Sequence, residues 1–501
     1  MIDEDGCNLT HDLLMPTLLF AALGGMTWAV RGCSGFGAVA GCIFAGVMWG
    51  AAWWYLAHDP QQEQSRRYAS GWIVLAVTLG IGLSGNRGWM QWPSFFEGQL
   101  LTNAGKGQFV PIPKIYGFLW LFIAGVPWAG LGACALAWCG SARETRVWHW
   151  ALRIGCGVGA AELARYLIKT HPEHFLPLYA SLEHQYHDRR ANPNLQRLVG
   201  DCTSALVHMG YYLGFLGFEL LRRDWKNIVL ILTVGLVNGA GWALCQNWKW
   251  ANALWGSGTF NFWRCWESSG GISIGVAYGL AYFLVNRRMS EREQDVRAAQ
   301  RTSEPPKIEW LAIYLGLTYF VGQFFRPQLD GWGTAYFTAV AIFGVAYTLA
   351  NRGNDDHGQD PDSQRWGLYL GLLTGLGLSL RNGLKGWFNI YRGNENYWSG
   401  VLWKYLGPTY LVLLILFGLW ILLMPTPRNS RRDVFPHVYA LIWLVLIVQN
   451  AIAQLITGPH SQWPETAFAI YYALLFAITA VIVIHFHANK SREAAQASSY
   501  R

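Results

Sequence analysis

The sequence carries little charge for its length. Asp, Glu, Lys and Arg make up 14% of its 501 residues, whereas an average soluble domain contains about 25%. A soluble protein of this size needs charge over its surface, and here long stretches contain none. The deficit excludes an ordinary soluble domain and indicates a surface in contact with lipid.

Several motifs that identify common function classes are also missing. The nine cysteines include no Cys-x-x-Cys pair, so the sequence predicts neither a zinc ribbon nor a disulfide framework. No Walker loop occurs, and ATP-driven transport would therefore need a separate subunit. The net charge of +8 is scattered through short loops, which argues against nucleic-acid binding. The sequence identifies no cofactor.

What the sequence does contain is a succession of apolar segments. About 20 apolar residues of helix cross the hydrocarbon core of a bilayer. The predicted spans, about fourteen in number, cover residues 12–32, 35–57, 69–86, 115–138, 149–168, 202–221, 227–246, 268–285, 309–325, 334–350, 366–385, 401–424, 436–456 and 465–486. The runs are continuously apolar and do not alternate, which argues against transmembrane strands. The predicted fold class is therefore all-α, a polytopic transmembrane helical bundle in a lipid bilayer.

Charged segments divide the chain. Residues 1–285 are predicted to form an N-terminal membrane bundle, residues 286–308 a charged linker, residues 309–488 a C-terminal membrane bundle and residues 489–501 a tail. Lys and Arg are more frequent in the loops that follow even-numbered spans. Those loops, the linker and both termini are therefore predicted to be cytoplasmic. The acidic N-terminus lacks the basic region of a secretory signal, so the first span is predicted to be retained.

Three segments at the ends of odd-numbered spans resemble one another. They cover residues 79–89, 234–242 and 374–387, and each ends on Gly-Trp. The resemblance predicts duplicated hairpins, which are common in transporters. One interpretation is structural: the helix ends at the glycine, which caps it, and the tryptophan anchors the end at the membrane interface.

The other interpretation of these segments is functional. Asn and Arg side chains that remain within a span are costly unless they face a cavity or a partner. Together with tryptophan rings they would line an outer pocket for an anionic substrate or for a lipid or sugar-bearing one. The candidate substrate-binding residues are Asn86, Arg87, Trp89, Asn238, Trp242, Arg381, Asn382 and Trp387.

Glycines at short spacings predict close helix contacts. Gly46 and Gly50 lie four residues apart in an apolar run, which favours packing inside the bundle or at the interface of a homo-oligomer. Gly80, Gly82 and Gly85 satisfy the G-x-G-x-x-G fingerprint of dinucleotide binding. That fingerprint requires a preceding strand, and here it lies within a predicted span. Helix packing is therefore the favoured interpretation.

The loop covering residues 169–201 contains two His-x-x-His pairs among acidic residues. On a helix each pair would share one face, and such a face can bind zinc or iron. The alternative is a solvated amphipathic helix, and Pro172 and Pro177 argue against one continuous helix. The candidate metal ligands are His171, His174, His184 and His187.

Ionisable residues within the spans form the last group of candidates. Glu162 and Arg165 lie on the fifth span, and His208 and Glu219 lie on the sixth. A buried ionisable side chain in a membrane is a functional hypothesis by default, since it can carry a coupling proton. Glu162 and His208 are the predicted functional residues. Glu219 stands beside basic residues and is predicted to form an interfacial ion pair.

Three functions are compatible with these features. The first is a secondary transporter or flippase for a polar, anionic or lipid-linked substrate. The second is a membrane-embedded transferase or hydrolase that acts on a lipid-linked substrate at the outer face, with the histidine-rich loop supplying acid, base or metal ligands. The third is a non-catalytic scaffold subunit. The residues alone leave all three open.

Overall fold

A computed structural model describes residues 8–33, 38–58, 66–84, 92–140, 147–248, 251, 262–287 and 463–499. Within these residues the chain is mainly helical, and the predicted all-α fold class is confirmed. The described helices are α1 (Met15–Cys33), α2 (Ala38–Ala57), α3 (Trp72–Ser84), α4 (Trp92–Phe95), α5 (Ile115–Trp138), α6 (Val147–Thr170), α7 (Tyr179–His187), α8 (Pro193–Arg222), α9 (Trp225–Cys245), α10 (Phe262–Val285) and α11 (Trp463–Ser499).

Short elements join some of these helices. A π-helical turn, Thr10–Leu14, leads into α1. Strands β1 (Gln99–Asn103) and β2 (Gln108–Pro111) form an antiparallel hairpin between α4 and α5. The hairpin was not predicted from the sequence. Its turn is a single 3-10 turn that ends at Gly107, whose φ of 64° suits glycine.

Nine of the predicted spans coincide with described helices. Most boundaries agree within a few residues. The exceptions are α8, which begins nine residues before the predicted span of 202–221, α10, which begins six residues before that of 268–285, and α11, which ends thirteen residues after that of 465–486. The five predicted spans between residues 309 and 456 lie outside the described residues. By length and composition, the described helices apolar enough to cross a membrane are Thr10–Ala29, Ile115–Trp138, Trp225–Cys245, Phe262–Val285 and Ile470–Asn489. These helices fit a membrane protein, and the count of fourteen spans stays a prediction.

Six helices form a closed circuit of contacts. Helix α1 packs on α10, α10 on α9, α9 on α5, α5 on α3, α3 on α2, and α2 on α1. Neighbours in the circuit run antiparallel, although pairs such as α5 and α9 or α1 and α10 are not consecutive in the chain. Outside the circuit α8 packs on α5, α6 packs on α8, and α11 packs on α1.

The interior of this circuit is filled by aromatic rings. Trp28 lies against Trp49 and Trp128, at centroid distances of 5.9 and 5.4 Å. Trp128 meets Trp242 edge to face at 4.9 Å, and Trp49 stacks on Tyr278 at 6.1 Å. These side chains are at most 3% exposed. Aromatic packing of this kind contributes stability beyond area burial, and it leaves the centre of the described bundle occupied.

Glycines bring the closest helix pair together. A Cβ atom at Gly271 of α10 would lie 2.0 Å from the carbonyl oxygen of Gly24 in α1, and one at Gly275 would lie 2.2 Å from that of Phe20. The same row of α10 continues at Gly279, four residues further on. Small residues at this spacing let two backbones touch, which is how helices associate without a hydrophobic driving force.

The glycines that the sequence assigned to packing do pack. A Cβ atom at Gly46 or Gly50 of α2 would lie within about 3 Å of the backbone of α3. One at Gly80 of α3 would lie 2.6 Å from the α5 backbone. The packing interpretation is confirmed at these three positions. Gly85 lies outside the described residues.

The two ends of the bundle differ. At one end, named the network end, Arg67 of the α2–α3 connection meets Gly140 after α5 and Asp224 before α9. At the other, named the loop end, the β1–β2 hairpin contacts the start of α8. There Asn103 donates a hydrogen bond to the Ala191 carbonyl over 3.0 Å. The candidate residues described next divide between these two ends.

Candidate functional site

A fully buried ion pair lies near the network end. The Arg153 guanidinium of α6 contacts Oε1 of Glu219 in α8 through Nη2 at 2.8 Å and through Nε at 3.1 Å. Both side chains are 0% exposed. Charges this deep in a bundle are expensive unless they are paired, and they commonly mark a functional position. The sequence predicted an interfacial ion pair for Glu219, next to Arg222 and Arg223. The pair is instead fully buried, and its partner is Arg153 of α6.

Aromatic rings surround the Arg153 guanidinium. Its carbon atom lies 4.4 Å from the ring centroid of Trp150, 4.9 Å from that of Phe218 and 5.7 Å from that of Trp138. The negative faces of these rings attract the cation, most strongly when water is excluded. Arg153 Nη1 makes no hydrogen bond within the part of the chain that is described. This nitrogen therefore remains available to donate a hydrogen bond.

Hydrogen bonds extend from Glu219 across the bundle. Its Oε2 accepts from Asn227 Nδ2 of α9 over 2.9 Å, and Asn227 Oδ1 accepts from the Tyr68 hydroxyl over 2.6 Å. The Tyr68 main-chain N–H donates to Asn286 Oδ1 at the end of α10 over 2.9 Å. All four side chains are 0% exposed. The row of bonds thus joins α8, α9, the α2–α3 connection and α10.

A second ion pair lies beside this row. Arg67 Nη2 is 2.5 Å from Asp224 Oδ1, and Arg67 Nε donates to the Gly140 carbonyl over 2.6 Å. Asp224 also caps α9, because its side chain accepts from the backbone N–H of Asn227. We call the whole set the charge network. Its members are Arg67, Tyr68, Arg153, Glu219, Asp224, Asn227 and Asn286.

Glu162 lies on a different surface from the charge network. It pairs with Arg165 at 2.7 Å, and the two side chains are 52% and 51% exposed. Nine residues separate Glu162 from Arg153 on α6, and at 100° per residue they point to opposite faces. His208 is 9% exposed and lies eleven residues before Glu219, on the same face of α8. The coupling roles of Glu162 and His208 stay predictions.

Two of the predicted substrate-binding residues lie in the core of the bundle. Asn238 Nδ2 donates to the Gly125 carbonyl over 2.6 Å, and Trp242 belongs to the aromatic interior. Helix α9 continues to Cys245, so Gly241 lies inside it and does not cap it. The interpretation of this segment as a helix end is therefore wrong. The candidates that lie outside the described residues are Asn86, Arg87, Trp89, Arg381, Asn382 and Trp387.

The histidine-rich loop does not form one continuous helix. Pro172 and Pro177 had predicted this interruption. A 3-10 turn covers Pro172–His174, and α7 follows after a break. His171, Glu173 and His174 offer ligand atoms within 4.8 Å of one another, and all three are exposed. A backbone hydrogen bond, and after it the hydrogen bond with His171, lower the pKa of Glu173. The turn therefore presents a carboxylate between two imidazoles.

The second histidine pair has a different setting. His184 and His187 lie on the exposed side of α7, and His187 Nε2 is 3.2 Å from the Tyr179 hydroxyl. Neither histidine belongs to the group of possible metal ligands that His171, Glu173 and His174 form among the described residues. Metal binding at all four histidines stays a prediction.

Two members of the charge network, Arg153 and Asn227, were not predicted from the sequence, although each has one feature that could have indicated it. Arg153 is a lone charge in an apolar part of α6, and Asn227 lies two residues into α9. Polar residues at such positions can lie at helix ends or pair inside the bundle, and the sequence alone does not distinguish these two roles.

Comparison with protein-family models, curated proteins and solved structures finds no match to this chain.

Proposed function

We propose that the protein is a secondary transporter or flippase for a polar, anionic or lipid-linked substrate, and that the charge network closes one end of its helix bundle. The proposal includes about fourteen spans with repeated hairpins. It also includes an orientation that puts the network end and both termini in the cytoplasm. The observation that carries it is the fully buried Arg153–Glu219 pair.

The composition of the network supports a closure that can open. Buried ion pairs add little net stability, because the loss of hydration offsets their attraction. Apolar side chains would hold this end together at least as well. Charged and amide side chains differ from apolar ones in one respect, because water can replace their hydrogen-bond partners when the helices separate. The network joins segments next to α2, α5, α6, α8, α9 and α10, so its rupture would release the whole end.

The chemistry of the pair supports an anionic substrate and proton coupling. Protonation of Glu219 would remove the negative charge that neutralises Arg153. The freed guanidinium could then bind a carboxylate or phosphate through paired hydrogen bonds. Arg153 Nη1 has no hydrogen-bond partner among the described residues and would contribute to that contact. Proton binding and anion binding would thus depend on the same two side chains.

A flux experiment tests the proposal. The full chain would be reconstituted in vesicles of phosphatidylethanolamine and phosphatidylglycerol. Two probes would be followed: fluorescent phosphatidylglycerol, by dithionite quenching, and radiolabelled inorganic phosphate, under an inward proton gradient. We expect at least one probe to move faster than in protein-free vesicles, and we expect Glu219→Gln to lose most of that rate. Glu183→Gln, at an exposed position on α7, is the matched control.

The same assay distinguishes the two carboxylates. If Glu162→Gln abolishes movement and Glu219→Gln does not, the coupling group is the one predicted from the sequence, and the role given to the network is wrong. If neither probe moves with the unmodified protein, the transport proposal fails.

A labelling experiment tests the closure itself. Cys139 directly follows α5 and precedes Gly140, whose carbonyl accepts from Arg67; Cys139 is 8% exposed. In a variant that keeps Cys139 as its single cysteine, a membrane-impermeant maleimide should react slowly. Adding Glu219→Gln should accelerate labelling several-fold, because the closed end would open more often. Equal rates would show that the network does not close this end.

A further inference from the structure

Three nitrogen atoms meet where the N-terminal turn passes the last turns of α11. His11 Nε2 lies 3.3 Å from His485 Nε2. Asn489 Nδ2 lies 3.0 Å from each of these two atoms. The three side chains are half-buried, and none of them was singled out by the sequence or belongs to the charge network. Residues 474 positions apart therefore converge on one point.

The direction of the hydrogen bonds matters here. Each imidazole Nε2 can donate or accept, depending on the tautomer, and the Asn489 amide can present its nitrogen or its oxygen to both rings. When both imidazoles carry their proton on Nδ1, two Nε2 lone pairs face each other across 3.3 Å. That arrangement is unfavourable for the side chains alone. It is favourable when a metal ion binds both nitrogens, since neutral imidazole is a common metal ligand.

The spacing fits a specific coordination geometry. Zinc is bound by histidine at about 2.0–2.1 Å with tetrahedral angles, which puts two ligand nitrogens about 3.3–3.4 Å apart. The observed distance between the two Nε2 atoms is 3.3 Å. Rotation of the Asn489 amide about its last bond would present Oδ1 as a third ligand, because the two amide orientations occupy the same space.

The surroundings hold the two imidazoles in place. The Phe486 ring meets the His11 ring edge to face at a centroid distance of 4.6 Å. His485 and Asn489 are four residues apart on α11 and therefore lie on the same face. The three side chains are thus held together in a half-buried position.

We infer that His11, His485 and Asn489 form a binding site for a transition-metal ion with the preferences of Zn²⁺. The two imidazoles and the amide oxygen supply three ligands, and a water molecule supplies the fourth. The ion fastens α11 to the turn that precedes α1 and so joins the two ends of the chain. This site is independent of the proposed transport function.

Metal titration of the purified full chain tests the inference. The background variant carries His171→Ala and His174→Ala, which removes the exposed group at the loop end. After chelator treatment, Zn²⁺ should bind with one ion per chain in calorimetry and raise the thermal unfolding midpoint. His11→Ala and His485→Ala should each abolish both effects. His487→Ala, exposed and two residues along α11, should retain them.

A further variant separates a metal site from a hydrogen-bonded cluster. Asn489→Asp removes the amide donor and adds a charged oxygen ligand. It should bind Zn²⁺ more tightly if the ion is held there. In a hydrogen-bonded cluster without an ion, the carboxylate would instead accept from the imidazole N–H groups, and the variant would show no stoichiometric Zn²⁺ binding. If the histidine variants fail to fold, the visible absorption of Co²⁺ added to the background variant reports tetrahedral nitrogen ligation directly. Absence of stoichiometric binding, or binding that persists in His11→Ala, overturns the inference.

Discussion

Arg153 shows how one side chain can keep a charge inside an apolar bundle. Its cation is neutralised by a single carboxylate, and the rings of Trp150 and Phe218 occupy much of its remaining surface. Each interaction alone is modest in water, but the exclusion of solvent strengthens all of them. The same exclusion makes the arrangement sensitive to the loss of any one partner.

Removal of the carboxylate should therefore be strongly destabilising. Glu219→Ala leaves a buried guanidinium without a counter-charge, and we expect a loss of about 3–5 kcal/mol in the free energy of unfolding. The double variant Arg153→Met, Glu219→Leu should recover most of that loss, because it buries no charge. Denaturation of the detergent-solubilised protein measures both. A Glu219→Ala variant as stable as the parent chain would contradict the pairing.

The double variant also separates a structural role from a functional one. If the pair only stabilises the fold, the apolar replacement should retain any flux that the unmodified protein shows. If the pair takes part in opening, stability should return while flux does not.

The sequence favoured Glu162 over Glu219 as the functional carboxylate, because the position of a residue in the sequence does not show which face of the helix is covered. Both lie in helices predicted to be spans, and both are close to an arginine in the sequence. The face that each occupies depends on which neighbour covers the helix. Helix α6 meets α8 through Arg153, and Glu162 points away from that contact. Apolar residues occur on both faces of α6, so the sequence carried no signal for this choice.

At the scale of elements, apolar runs predicted the helices well and the connections poorly. A run such as residues 115–138 permits little but a membrane helix, and α5 covers the same residues. The β1–β2 hairpin is short and lies between two spans, where polar composition indicates only a loop. Helix α8 begins early because Pro193 occupies its first turn and its early residues are amphipathic rather than apolar.

The contact between α1 and α10 leads to a prediction about elements. Gly271→Ala places a methyl group 2.0 Å from the Gly24 carbonyl oxygen, so the two backbones must separate. We expect a loss of about 1–3 kcal/mol in the free energy of unfolding, the usual range for overpacking.

The matched control for this change is Gly155→Ala in α6, where a Cβ atom meets nothing within 4 Å. Alanine favours a helix over glycine by up to about 1 kcal/mol, so this variant should be as stable as the parent chain or slightly more so. Thermal unfolding in detergent measures both. Equal effects of the two substitutions would show that helix propensity, and not the close contact, determines the result.

At the scale of the whole molecule, the contacts that form the circuit of six helices could not be predicted from the sequence. Hydropathy fixes which residues enter the membrane but not which helices become neighbours. Residues 139–224 separate α5 from α9 in the chain, and the two helices still pack closely through Gly125 and Gly239. Such choices depend on the shapes of two surfaces at once.

The orientation in the membrane is a prediction about the whole molecule. The network end carries Arg66, Arg67, Arg222, Arg223, Lys226 and Arg287, and basic residues next to spans favour the cytoplasmic side. In a cysteine-less background, Lys226→Cys at the network end should react with an impermeant maleimide only after intact cells are permeabilised. Ala180→Cys, exposed on α7 at the loop end, should react before permeabilisation. The reverse pattern would place the charge network on the outside and contradict the predicted orientation.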